Sequence, residues 1–371
     1  MNLNFVAPCL MGLEGAAADE LRQMEAENVT AENGRVFFSG DETILARANI
    51  CSRFSERILI LLGRFEACTF EQLFQGVKKI DWADFIGARD TFPVKGYSIS
   101  SALHSVPDCQ AIIKKAVVEK LKSNYHVSWF EESGPVHQIQ FSILKDDVCI
   151  MLDTSGAGLH KRGYRPAANQ APIKETLAAG MAYFSKLRHY HTMYDPFCGS
   201  GTVLIEGALL ANNIAPGINR LFSADRWGLF EEQLWKEERN RAKSLVKTDT
   251  DFVAYGADSD GAALELTMKN AKRAGVDRFM KLSECDIRRF EGDTERGTLI
   301  CNPPYGERML DVQTANEIYR VMGEKFVQRH GWSYSIISPS ETFEAEFGRK
   351  ADKRRKLYNG MIKCQLYMYF K

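Results

Sequence analysis

Tyr194-Asp195-Pro196-Phe197-Cys198-Gly199-Ser200-Gly201-Thr202, followed at once by Val203-Leu204-Ile205-Glu206-Gly207-Ala208-Leu209-Leu210, is the stretch that decides the fold. A strand end, a turn with two glycines and a helix-forming run make the opening of a doubly wound α/β sheet. Gly199 and Gly201 let the backbone turn tightly and approach a ligand with no Cβ in the way. The helix that follows would aim its free N–H groups at that ligand, which favours a carboxylate or a phosphate. Two familiar loops do not fit. A dinucleotide loop needs G-x-G-x-x-G, and the third glycine is missing; a phosphate-cradling loop needs G-K-[ST], which does not follow.

With an acid leading the turn, Asp195-Pro196-Phe197-Cys198-Gly199-Ser200-Gly201-Thr202 resembles motif I of class I S-adenosylmethionine-dependent methyltransferases. Three further signals follow in order. Phe252 to Asp258 reads as a second strand ending in a carboxylate, and the helix after it carries Leu264, Met268 and Ala271. An acid at that position can accept both ribose hydroxyls of an adenosine. Lys281 to Asp286 reads as a third strand with its own terminal acid, suited to an adenine amino group. Leu299-Ile300-Cys301 then runs into Asn302-Pro303-Pro304-Tyr305. The surplus length between the first and second strands, about Asn212 to Thr250, is an insertion rich in charge and tryptophan.

Asn302-Pro303-Pro304-Tyr305 resembles motif IV of methyltransferases that act on a planar amino nitrogen. Such an amine is a poor nucleophile, because its lone pair is delocalised into the ring. The Asn302 side-chain oxygen and the Pro303 carbonyl can each accept one N–H and turn the lone pair toward a sulfonium methyl. Two prolines stiffen the loop, so the geometry is set before substrate arrives. Tyr305 can stack on the base. The transfer needs neither a metal nor a covalent intermediate, and a paired base would have to be flipped out to reach the site.

The remaining sequence supplies the setting. The 371 residues are 45% hydrophobic and 26% charged, globular composition with enough apolar material for two or three domains. The densest apolar run, Ile58 to Leu62, is far short of the roughly 20 residues that cross a bilayer. The start of the chain lacks a basic leader, so a cytoplasmic protein is expected. Lys+Arg and Asp+Glu are both 48, which excludes a uniformly basic coat but not local basic patches. Nine scattered cysteines with no C-x-x-C pair fit reduced, mostly buried thiols, and His189-x-His191 reads as the end of a helix rather than a metal site.

Upstream, strands near Asn4 to Leu10, after Asn33-Gly34, and over Arg57 to Leu62 alternate with helices after Gly12 and Asp41. That makes a small ferredoxin-like α+β module over 1–65. A helix from Thr69, a strand at Tyr97 to Ser101, a helix after Pro107-Asp108 and a hairpin turning at Asp146-Asp147 follow. This order, over 66–158, resembles a THUMP domain, an RNA-binding module of RNA-modifying enzymes. Thr154-Ser155-Gly156-Ala157-Gly158 has the composition of a linker into the methyltransferase domain, 159–371.

Leu159-His160-Lys161-Arg162-Gly163-Tyr164-Arg165, Ala171 to Ala179, the insertion's Ala215-Pro216-Gly217-Ile218-Asn219-Arg220 and Asn302 to Met309 are similar to the bacterial large-subunit ribosomal RNA guanine-N2 methyltransferases. That resemblance implies a seven-stranded, mostly parallel Rossmann-like sheet with a C-terminal antiparallel hairpin, and S-adenosylmethionine as cofactor, leaving as S-adenosylhomocysteine. It implies that Asp195, Pro196, Phe197, Gly199, Ser200, Gly201 and Thr202 shape the methionine end of the cofactor site. Asp258 and Ser259 would hold the ribose, Asp286 and Ile287 the adenine, and Thr176 the cofactor's carboxylate. Asn302, Pro303, Pro304 and Tyr305 would hold the target amine. Arg162, Arg165 and the run Lys353, Arg354, Arg355 are candidate phosphate contacts to RNA. The longer members carry a second methyltransferase unit that this sequence lacks. Asn-Pro-Pro-Tyr chemistry also serves adenine N6 in DNA and glutamine in proteins, and a non-catalytic ribosome-assembly factor would keep the same domains.

Overall fold

Local signals start and stop the N-terminal elements: β1 (Leu3–Pro8), α1 (Glu14–Gln23), β2 (Glu27–Glu32), β3 (Arg35–Gly40), α2 (Glu42–Cys51), β4 (Leu59–Glu66), α3 (Phe70–Lys78), β5 (Val94–Ile99), α4 (Val106–Tyr125), β6 (Ile139–Leu144) and β7 (Asp147–Asp153). Asp41 caps α2, its Oδ1 accepting the Ile44 N–H at 3.0 Å. Thr69 and Gln72 cap α3 reciprocally. Between β6 and β7 the turn falls on Lys145 and Asp146, at φ +52° and +66°, one residue earlier than expected. Positive φ at both central positions matches the right-handed twist of the paired strands.

The computed structural model describes residues 1–165, 173–305 and 312–370. Among them the two N-terminal units are not separate sheets. They share one seven-stranded sheet in the order β2-β3-β1-β4-β7-β6-β5. The reason is the length of β4: its start pairs with β1 (Phe5 opposite Ile60), and its whole length pairs with β7, from Leu59 opposite Asp153 to Glu66 opposite Asp147. The expected linker also differs. Thr154 and Ser155 are buried, and they bond to both ends of Asn49 at 2.8 and 2.7 Å. Small polar residues serve there as a packed junction, because short hydroxyls can satisfy a buried amide.

The C-terminal part runs α5 (Glu175–Phe184), β8 (Thr192–Asp195), α6 (Thr202–Ala211), α7 (Glu232–Ser244), β9 (Val253–Asp258), α8 (Gly261–Ala274), β10 (Met280–Glu284), β11 (Gly297–Cys301), α9 (Val312–Lys325), β12 (Trp332–Ser338), α10 (Phe343–Phe347), β13 (Lys353–Asn359) and β14 (Ile362–Tyr369). Its sheet has the order β10-β9-β8-β11-β12-β14-β13, parallel except at β14, which is antiparallel to both neighbours. This is the doubly wound sheet with a terminal hairpin that the sequence predicts. The strand order reverses at β8, so the crevice beyond the carboxyl ends of β8 and β11 is where such sheets bind ligands. One face is covered by aliphatic side chains of α5, α6 and α8, including Leu177, Met181, Leu204 and Ala271. The other carries an aromatic layer with Tyr319, Phe326, Trp332, Phe343 and Tyr369.

The insertion ties the two sheets together. Trp235 is buried and stacks on Phe222, while Trp227 stacks on His137 of the first sheet at 4.4 Å. Arg47 of α2 donates to both oxygens of Glu238 on α7, at 2.9 and 3.1 Å, with both side chains nearly buried. Removing Glu238 takes both of these bonds from Arg47, which keeps Glu25 at 2.6 Å and the Met24 carbonyl at 2.9 Å. Glu238→Ala is expected to lower unfolding stability by about 2 kcal/mol, and Leu at both positions to recover most of it. Denaturant titration of the two variants measures this; an unchanged midpoint for Glu238→Ala would deny the pair its bridging role.

Candidate active site

β8 delivers Asp195 to the carboxyl edge, and the chain then makes the turn that the two glycines require. Gly199 and Gly201 have φ of +52° and +80°. At Gly201 a Cβ would sit 2.6 Å from Thr267 Cγ2, so the turn lies flat against α8. At Gly199 a Cβ would meet nothing within 4 Å, so that side of the turn is open. Two residues of α8 hold the turn's carbonyls: Thr267 Oγ1 donates to Gly199 O at 2.8 Å, and Asn270 Nδ2 donates to Ser200 O at 2.9 Å. Sequence reasoning did not select these two. Their signal was a threonine and an asparagine on the helix face that also buries Ala263 and Ala271.

Asp258 ends β9 beside this turn. Its Oδ2 accepts the Gly199 N–H at 2.9 Å and its Oδ1 accepts the Asp260 N–H at 3.1 Å. Each oxygen keeps acceptor capacity, which is what a vicinal diol would need. Ser259 next to it is exposed. Asp286 lies past the end of β10; its Oδ1 accepts the Arg288 N–H at 2.8 Å, and the carboxylate pairs with the Arg288 guanidinium at 3.1 Å. Ile287 behind it is buried. The ends of β10, β9, β8 and β11 are consecutive in the sheet, so Asp286, Asp258, Asp195 and Asn302 line one edge in that order.

Asp195 is fully enclosed, with Oδ1 accepting the Phe197 N–H at 3.1 Å. Burial pushes its carboxyl up to about 8, the Phe197 N–H opposes that, and the nearby Asp258 charge adds to it. Asn302 follows β11. Its Oδ1 is buried and has no hydrogen-bond partner among the described residues. Pro303 is buried and Pro304 half-buried, so this acceptor sits on a braced turn. Tyr305 accepts a hydrogen bond from Asn359 Nδ2 at 2.7 Å, which anchors its hydroxyl to the end of β13. The remainder of that motif, Gly306 to Met309, and Ala171-Pro172 lie outside the described residues.

Several expected contacts are placed elsewhere. Thr176 is fully buried, and its hydroxyl donates to Glu56 at 2.7 Å instead of facing the turn. Arg162 is a correction: it is buried, donating to Arg53 O at 2.6 Å, Leu159 O at 2.8 Å and the carboxylate of Glu206, so it cannot meet a phosphate. Arg165 is largely enclosed as well. It pairs with Glu175 at 3.0 Å and donates to Thr202 Oγ1 at 2.8 Å, which makes it a brace behind the turn. The basic run is divided by strand alternation. Lys353 is exposed, Arg354 is paired with Glu344, and Arg355 lies over the Phe184 ring at 3.9 Å.

Residues 162–368 match the RMKL-like methyltransferase domain, residues 4–59 the RlmL ferredoxin-like domain and residues 67–153 the THUMP domain. The chain belongs to the RMKL-like methyltransferase family, and the expected set of folds holds. Over 98% of its length it is 40% identical to "Putative RNA methyltransferase YpsC" of Bacillus subtilis (strain 168), covering 95% of that protein. Over 99% of its length it is 34% identical to the ribosomal RNA large subunit methyltransferase K/L of Shewanella amazonensis (strain ATCC BAA-1098 / SB2B), but it spans only 53% of that relative. The structure of SMU.472 complexed with SAH superposes with a TM-score of 0.94 at 41% identity, covering 100% of this chain and 98% of the other. A "predicted N6-adenine-specific DNA methylase" from Listeria monocytogenes str. 4b F2365 gives 0.94 at 39% identity, covering 100% and 96%.

The raised carboxyl of Asp195 has a pH signature. Unfolding lets it ionise near its ordinary 3.8, whereas the folded chain keeps the proton until about 8. Its contribution to stability is therefore complete below 3.8 and is lost progressively as pH rises through 8. Asn cannot ionise and still offers an oxygen to Phe197. The gain in thermal midpoint of Asp195→Asn over the parent should be larger at about pH 8 than at about pH 5. Paired thermal melts check this, and a pH-independent difference would mean the carboxyl is ionised in the fold.

Proposed function

We propose that the chain is an S-adenosylmethionine-dependent methyltransferase acting on an exocyclic amino nitrogen, guanine N2, of large-subunit ribosomal RNA. The observation that carries this is Asn302 Oδ1, a buried acceptor lacking a partner among the described residues on a proline-braced turn at the edge shared with Asp195 and Asp258. Buried acceptors are almost always paired, so this one is kept for a donor that arrives from outside. An amino group is such a donor. When bound, the cofactor supplies an electrophilic methyl on a sulfonium centre.

The residues present fit that cofactor. The open side of Gly199 admits a close backbone approach, and Asp258 retains lone pairs on both oxygens for ribose hydroxyls. Asp286 keeps acceptor capacity for an adenine amino group beside its Arg288 contacts. Asn302 and the Pro303 carbonyl would each accept one N–H of the target amine, fixing the direction of its lone pair. The donors and acceptors are in place before substrate binds, so little reorganisation accompanies the transfer. Tyr305, held through Asn359, gives the base a ring in a set position.

RNA as substrate is supported by the THUMP match over residues 67–153 and by the RNA-methyltransferase names of both relatives. An adenine amine in DNA is the second reading, favoured by the name of the Listeria structure. Among the described residues no helix is long and apolar enough to cross a membrane.

Incubation with methyl-labelled cofactor and either unmodified large-subunit RNA or duplex DNA tests the choice. Label is expected in RNA, in a nucleoside that mass spectrometry identifies as N2-methylguanosine; label in DNA alone would overturn the reading. Asn302→Ala should bind S-adenosylhomocysteine within about twofold of the parent and lose about a hundredfold or more in turnover. Calorimetry and single-turnover rates separate the two effects, and unimpaired turnover would remove the amine-orienting role.

A further inference from the structure

The β13–β14 hairpin stands beside the candidate active site and projects past it. Ser338, the last residue of β12, pairs with Gln365, so Ile362 to Cys364 of β14 continue past the end of their neighbour. At about 3.4 Å per residue, the apex rises about 13 Å above that edge. β14 is two strands from β11, about 10 Å to the side of the turn that carries Asn302. Asn359 closes the hairpin against Ile362, leaving the two-residue loop Gly360-Met361 with Gly360 at φ +64°. A loop of this length with glycine first is among the tightest the backbone makes, so the apex is rigid.

What sits on that apex is apolar. Met361 is 96% exposed and Ile362 46% exposed. A lone exposed methionine would carry no meaning. Here two apolar residues are adjacent on a stiff projection, and their surroundings specify what they meet. From Lys353 to Lys363 the hairpin contains Lys353, Arg354, Arg355, Lys356 and Lys363 and no carboxylate. Arg354 is paired with Glu344, and Lys353, opposite Met368, lies at the far end of the hairpin, but Lys356 and Lys363 are exposed nearer the apex. A hydrophobic point with exposed cations below it on one face of the hairpin suits a stack of bases beside a phosphate backbone. The hairpin is also tied to the chemistry, because Asn359 Nδ2 donates to the hydroxyl of Tyr305 at 2.7 Å.

We infer that Met361 and Ile362 form a wedge that enters the RNA stack and fills the gap left when the target nucleotide turns into the Asn302 site. Lys356 and Lys363 hold the flanking phosphates. An unbranched thioether suits this role, since it can slide between bases of any identity. The wedge offsets the cost of unstacking, which is larger for a paired nucleotide than for a single strand. This inference rests on the RNA-methylation reading above.

The test compares two RNAs: a folded large-subunit transcript and a short single-stranded fragment spanning the position that the parent protein labels. Met361→Ala, at a solvent-exposed apex, is expected to fold normally and to bind S-adenosylhomocysteine as the parent does. Its single-turnover rate on the folded transcript should fall about tenfold or more, with the rate on the fragment unchanged. Met361→Leu, which keeps the apolar volume, should restore the folded-transcript rate. Equal loss on both RNAs, no loss on either, or weakened binding at an unchanged rate would overturn the wedge. A parent protein that labels neither RNA would instead overturn the methylation reading, and the wedge would fall with it.

Discussion

A turn without side chains at Gly199 and Gly201, pressed against α8, is the constraint on which the rest of the site depends. Thr267 Cγ2 stands 2.6 Å from where a Cβ on Gly201 would be, so the start of α6 cannot move outward without a gap or inward without a clash. The turn's carbonyls are held by Thr267 and Asn270 and one of its N–H groups by Asp258. That last bond matters twice. It fixes the turn, and it orients the carboxylate that would receive a ribose. Behind it, Asp195 is held neutral by burial over much of the ordinary pH range, so the centre of the edge carries less charge than its acidic residues suggest.

Buried ion pairs join this edge to the N-terminal half. Glu206 on α6 lies between the Tyr164 hydroxyl at 3.0 Å and the Arg162 guanidinium, and Arg162 reaches on to the carbonyls of Ser52 and Arg53. Arg47 and Glu238 make a second tie through the insertion. Such pairs contribute little net stability relative to a packed apolar contact, but they tolerate few alternative geometries. The two sheets are therefore held to each other in a restricted orientation. The helix that carries the glycine turn is the helix that the N-terminal carbonyls hold through Arg162.

The legible parts were those whose meaning is local. Gly199 and Gly201 announce a backbone that other residues rarely adopt, and the acids at Asp195 and Asp258 mark strand ends because an apolar run stops there. Asn302 with two prolines is equally self-contained. The less legible parts were side chains whose role depends on a distant partner. Arg162 and Arg355 look alike in sequence as candidate phosphate contacts. One is buried against Glu206 and the other lies over Phe184, and nothing near either residue announces the partner. Thr154 and Ser155 have linker composition, yet Asn49, more than a hundred residues upstream, draws them into the interior. Thr267 and Asn270 were passed over because helical periodicity selects apolar faces, and a satisfied polar pair on such a face interrupts that pattern.

By itself the sequence determined the glycine turn, the strands that end at Asp195, Asp258 and Cys301, the acids at those ends and the proline-braced Asn302 loop. Each is written within a few residues, where hydrophobic period and φ preference act. Only the tertiary structure decided that β4 fuses two N-terminal units into one sheet, that Arg162 and Arg165 are internal braces, and that Met361 crowns a hairpin above the site. These are outcomes of long-range pairing. Which strand edges meet, and which charges find a buried partner, depends on residues that are distant along the chain and adjacent only once it has folded.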